Sequence, residues 1–141
     1  MPLKPWILRR IRRELDKYPF VLENNEETIR FQFGKYIIQV NELAGYPFSP
    51  PRITIDGKIL SYASSSLFPS RLIGEYSKKY NCPCCVSITC PDNWSPSFGI
   101  IHILHEFVGF VEKLKTHQKI KIFQSVNLPE DMIYEITSFL Q

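Results

Sequence analysis

The chain has 141 residues, 44% of them apolar, 13% aromatic and 22% charged, with a formal charge of +3. That composition excludes an intrinsically disordered chain and suits one domain of 141 residues that buries roughly two-thirds of its unfolded surface. No apolar run reaches the ~18 residues that cross a bilayer, and the opening MPLKPWILRRIRRELDKY breaks into arginines too early for a secretory leader, so a cytoplasmic or nuclear setting is expected.

Residues 5 to 17 read as a helix, with Pro5 in its first turn and Ile7, Leu8, Ile11 and Leu15 at helical spacing. Its other side carries Arg9, Arg10, Arg12 and Arg13, a concentrated positive face that suits an acidic partner surface, anionic lipid or nucleic acid, or simply a solvated surface. From Thr28 the chain alternates through Ile29-Arg30-Phe31-Gln32-Phe33, turns at Gly34-Lys35, and alternates again through Tyr36-Ile37-Ile38-Gln39-Val40. This predicts an antiparallel pair, extended by Arg52-Ile53-Thr54-Ile55, an Asp56-Gly57 turn and Lys58-Ile59-Leu60. A meander of three or four strands is expected. Residues 61 to 97 hold little periodicity and many turn residues, and a connection this long inside a compact domain is usually functional. A short helix is expected at 71 to 79. Residues 97 to 115 form the clearest helix, capped by Ser97 and striped by Ile100, Ile103, Leu104, Phe107, Phe110, Val111 and Leu114. Lys119-Ile120-Lys121-Ile122-Phe123 reads as a short alternating or linking segment, and residues 127 to 140 as a final amphipathic helix. The fold class that follows is α+β in a single domain: an N-terminal helix, a small antiparallel meander, a long irregular segment and C-terminal helices.

Chemistry concentrates in the irregular segment. All four cysteines, Cys82, Cys84, Cys85 and Cys90, fall within nine positions, which suits a local site better than a disulfide framework. Pro47, Pro50 and Pro51 stiffen the stretch Tyr46-Pro47-Phe48-Ser49-Pro50-Pro51, and Trp94-Ser95-Pro96-Ser97 follows the thiols. A thiol is both a good nucleophile and a good leaving group, as an acyl carrier requires. Zinc is the competing chemistry: Cys82 and Cys85 make a C-x-x-C, with Cys90, His102 and His105 as further ligands, and a metal-held thiolate is a blunted nucleophile. A dithiol redox motif is disfavoured because no βαβ unit precedes it.

Taken together, YPFSPP, then a cysteine in Cys85-Val86-Ser87-Ile88, then WSP opening a helix, with Arg10-Ile11-Arg12-Arg13-Glu14-Leu15 in the first helix, resemble the ubiquitin-conjugating family over residues 6 to 115. The resemblance implies that Cys85 accepts ubiquitin or a ubiquitin-like protein as a thioester and passes it to lysine, with no cofactor. Cys84 and Cys90 are rivals for that role. It implies an activating enzyme and a ubiquitin ligase as partners, met through Arg9, Arg10 and Arg13 and through Phe48, Pro96 and Ser97, and neither nucleic acid nor membrane. The alternative is a catalytically inactive binding module of the same shape, with a structural zinc on the cysteines. The family's His-Pro-Asn, whose asparagine supports the oxyanion, has no counterpart in Ser61-Tyr62-Ala63, and Asn81 or Asn93 are the nearest substitutes. Residues 64 to 80 read as an insertion, and the short stretch between Leu15 and Tyr46 suggests a trimmed first strand or hairpin. Residues 128 to 140 resemble the opening helix of an F-box, although a plain terminal helix is the favoured reading.

Overall fold

The computed structural model describes residues 2–62 and 67–125. The architecture is α+β, as expected: helix α1 (Pro5–Glu14), five strands, and helices α2 (Ser70–Lys79), α3 (Pro83–Val86) and α4 (Ile100–Ser125). The chain divides into two compact units, Met1–Glu106 and Phe107–Gln141. No helix among the described residues is long and apolar enough to cross a membrane.

The strands β1 (Phe20–Glu23), β2 (Thr28–Phe33), β3 (Tyr36–Asn41), β4 (Arg52–Ile55) and β5 (Lys58–Ile59) form one sheet in chain order, each antiparallel to the next. Register follows the period-2 pattern. Ile29 pairs with Val40 and Val40 with Ile53, while Phe31 pairs with Ile38 and Ile38 with Ile55. These six residues are all buried and form two cross-strand rows, so a one-residue slip would turn the whole set to solvent. Ile7, Ile11 and Leu15 of the α1 segment and Ile100, Ile103 and Leu104 of α4 are buried in the same unit. At about 2–5 kcal/mol for each large-to-Ala truncation of such a residue, this apolar set dominates the unit's stability.

The turns obey their residues. Gly34 (φ 59°), and Asp56 and Gly57 (φ 50° and 82°), occupy the left-handed region as the sequence predicts for tight hairpins. The Asp56 carboxylate also accepts the Ile37 N–H at 2.8 Å, tying the β4–β5 turn to β3.

Several expectations change. The sheet has five strands rather than three or four, because Phe20–Glu23 pairs with β2 through the turn that follows it. Asn24, Asn25 and Glu26 all take positive φ there, and Asn tolerates that region better than most residues, so a first hairpin is present. Helix α1 ends at Glu14, three residues earlier than expected. The alternating segment 119–123 is helical, as part of α4. Between Gly109 and Pro129 no glycine or proline interrupts the chain, and a helix already under way propagates more easily than a four-residue alternation starts a strand. Helix α2 lies where residues 71 to 79 predict it, and α3 is an extra turn of helix over the cysteines. The helix read at 127 to 140, with its F-box likeness, lies outside the described residues.

Candidate active site

Helix α1 presents Arg10 and Glu14 one turn apart, and these two side chains join three separate stretches of chain. The Glu14 carboxylate accepts the Tyr46 hydroxyl at 2.5 Å and the Ile100 backbone N–H at 2.9 Å. Helix α4 has no acidic residue in its own first turn, so the negative charge that complements its N-terminal end comes from α1. The neighbouring Gly99 N–H donates to Nδ1 of His102 at 2.9 Å. Ser97 does not cap this helix; its hydroxyl pairs with that of Ser95 at 2.9 Å, and α4 begins three residues later. A Cβ on Gly99 would collide with the Glu14 carboxylate, so only glycine lets the two approach. The Arg10 guanidinium donates to the carbonyls of Pro96 and Phe98 at 2.5 and 2.9 Å and lies 5.4 Å from the centre of the Tyr46 ring.

Tyr46 and Pro47 are buried at the head of the proline-rich stretch. Burial, then the Glu14 carboxylate, pushes the Tyr46 hydroxyl well above its ordinary range, so it remains a donor. Phe48 and Ser49 turn back through backbone bonds to the Gly45 carbonyl at 2.9 and 3.0 Å. Phe48 is thrown outward, 73% exposed, with Trp6 beside it at 6.2 Å between ring centres. Trp94 closes the frame: its indole N–H donates to the Pro47 carbonyl at 2.8 Å, and its ring lies 6.4 Å from Tyr46 and 5.8 Å from Phe98.

The cysteine turn hangs from this frame through Asn93. One amide nitrogen, Nδ2 of Asn93, donates to the Cys85 carbonyl at 2.8 Å and to the Ser87 carbonyl at 3.0 Å. From α4, Glu106 accepts the Ser87 hydroxyl at 2.5 Å and the Ile88 N–H at 2.9 Å, so both sides of the segment after Cys85 are pinned. Burial and the Glu106 carboxylate raise the Tyr62 hydroxyl well above its ordinary value. Pro83 is buried while Cys82 and Cys85 are exposed, so α3 points its sulfurs outward from an anchored proline.

Within that turn, the Cys82 and Cys84 sulfurs lie 2.9 Å apart and those of Cys84 and Cys85 3.9 Å apart; none is in a disulfide. A hydrogen bond from the Cys84 thiol, helped by the backbone N–H groups of Cys84 and Cys85, draws the Cys82 thiol below its ordinary value. The same hydrogen bond to Cys82, with desolvation, pushes Cys84 up to about 12. Cys84 is thereby a poor nucleophile at neutral pH.

The residues singled out from sequence fall into two groups. Cys85, Phe48, Pro96, Ser97, Arg9 and Arg13 are exposed, whereas Arg10 turns inward as the strut just described. Asn93 lies beside the cysteine turn, yet both its amide hydrogens hold carbonyls and neither is free for an oxyanion; Asn81 is exposed. The thiols that gather are Cys82, Cys84 and Cys85, not Cys82, Cys85 and Cys90. His102 is engaged by Gly99, and the His105 ring lies 5.9 Å from Phe33. Sequence reading missed Glu14 and Glu106, and the role of Tyr46 as the counterpart of Glu14 in the frame, because a lone carboxylate on an amphipathic helix carries no sign of which loop it will meet. The chain matches no protein-family model, no curated protein and no solved structure.

Proposed function

We propose that the chain is a divergent ubiquitin-conjugating protein that carries a ubiquitin-like modifier on Cys85 and transfers it to a lysine. The observation that carries this reading is the run of hydrogen bonds from the Trp94 indole to the Pro47 carbonyl and from the adjacent Asn93 amide to the Cys85 carbonyl. It links the proline-rich stretch, the tryptophan and the backbone of an exposed thiol within one unit, which supports a common role for YPFSPP, the cysteine and WSP. In the loading step the Cys85 thiolate attacks the thioester carbonyl of the modifier on its activating enzyme, and that enzyme's sulfur leaves as thiolate. In the transfer step a lysine amine attacks the Cys85 thioester and gives up a proton to solvent, an amide bond forms, and the Cys85 sulfur leaves with its electron pair. The exposed pair Phe48 and Trp6, with Pro96, Ser97, Arg9 and Arg13, supplies an apolar and basic surface suited to an activating enzyme or ligase.

A second reading, a docking module without transfer activity, is favoured by one specific observation. Both donors of Asn93 are occupied, and a missing oxyanion donor slows transfer by about 10²- to 10³-fold. The test is incubation with activating enzyme, ATP and ubiquitin, followed by a non-reducing gel. A reductant-sensitive adduct that disappears only in Cys85→Ser, and persists in Cys82→Ser, Cys84→Ser and Cys90→Ser, is the expected result. No adduct on the parent chain, alongside retained ligase binding, favours the docking module; an adduct that survives Cys85→Ser but not Cys82→Ser moves the acceptor.

A further inference from the structure

We propose that Cys82, Cys84 and Cys85 form a binding site for a thiophilic d¹⁰ cation, cuprous or zinc, a reading that stands apart from thioester chemistry and shares only Cys85 with it. The three sulfurs all lie within 4.8 Å of one another. They are held so by a single turn, in which the Cys85 N–H bonds the Cys82 carbonyl at 3.2 Å and the buried Pro83 anchors the backbone between them. A metal–sulfur bond of about 2.3 Å places tetrahedral ligands about 3.8 Å apart. The Cys84–Cys85 separation of 3.9 Å already meets that spacing. The Cys82–Cys84 pair, now 2.9 Å apart, has to open by about 0.9 Å, a side-chain rotation that the exposure of Cys82 permits without moving the backbone.

Donor chemistry narrows the ion. An all-sulfur set selects cuprous or zinc over magnesium, calcium or manganese, which prefer oxygen. Three sulfurs satisfy a trigonal cuprous ion, while zinc would take a fourth ligand from solvent or a small thiol, since among the described residues no histidine joins the three gathered thiols. Each ligating thiol gives its proton to solvent. Lys78 and Lys79, exposed at the end of α2 just before Cys82, bring positive charge close in sequence to the anionic complex. Because Cys85 belongs to the set, a bound ion and an acyl group exclude one another there.

The test uses the reduced full chain under anaerobic conditions, titrated with cuprous ion against a bathocuproine chelator and with zinc against a chromophoric chelator. One ion per chain is expected, held at least about tenfold less tightly by Cys82→Ser and by Cys84→Ser, and unchanged in Cys90→Ser. Equal weakening by Cys90→Ser and Cys84→Ser would overturn the assignment, as would a parent chain that competes no better than the triple serine variant. Circular dichroism of each variant checks that the fold is retained. The readout needs no modifier or activating enzyme, so failure of the thioester reading leaves it intact, and its own failure leaves the thioester reading standing.

Discussion

The frame around Glu14 and the turn around Cys84 are built from opposite materials. In the first, a carboxylate, a guanidinium, a phenol and an indole meet across more than eighty residues of sequence, largely out of water, and nearly every polar atom has a partner. In the second, three thiols lie within four residues, in or near solvent, and their partners are one another. Long-range polar bonds fix where the backbone goes and leave their atoms nothing further to do. Short-range sulfur pairs fix little, and their atoms stay available for chemistry.

That contrast is broken if changes in the frame alter thiol chemistry as strongly as stability. Glu14→Ala has the largest expected effect: it strands the buried Tyr46 hydroxyl and removes the acceptor at the start of α4. A loss of about 3 kcal/mol in urea unfolding is expected, with thiol alkylation rates in the still-folded protein unchanged. The thiol turn should respond to pH instead. Cys82 sits below its ordinary value, so its thiolate appears as pH rises before that of a typical cysteine, while Cys84, at about 12, remains protonated until strongly alkaline conditions. Iodoacetamide mapped by mass spectrometry is expected to label Cys82 before Cys84 across pH 6 to about 9. Labelling of Cys84 first would remove the hydrogen-bond assignment. The smallest effect on stability is expected from Phe48→Ala, within about 0.5 kcal/mol, since the side chain is 73% exposed. A marked loss of activating-enzyme or ligase binding in that variant, with unchanged unfolding, separates a docking role from packing.

The sheet was legible because β2, β3 and β4 carry period-2 rows and their turns carry Gly34, Asp56 and Gly57, all local signals. The strand Phe20–Glu23 was hidden by its brevity, although Asn24-Asn25 between apolar runs is a hairpin signal that would have found it. The thiol cluster was readable as a cluster, but its membership was not. Spacing suggested Cys90, whereas the α3 turn gathers Cys84 instead, because a helical turn brings together neighbours in sequence that an extended loop would separate. Ser97 was a reasonable cap from composition; Glu14 displaced it because a charged acceptor at a helix start is a stronger partner than a hydroxyl. No local pattern discloses an acceptor that arrives from eighty-six positions away.

Strand order equal to chain order has a consequence for how the molecule comes into being. Every sheet partner is synthesised immediately before or after its mate, so the hairpins can zip one by one as the polypeptide leaves the ribosome. The bridge from Glu14 to Ile100 cannot close until the far end has emerged. A nascent chain halted before that point holds an assembled sheet beside a first helix whose carboxylate still awaits its distant amide.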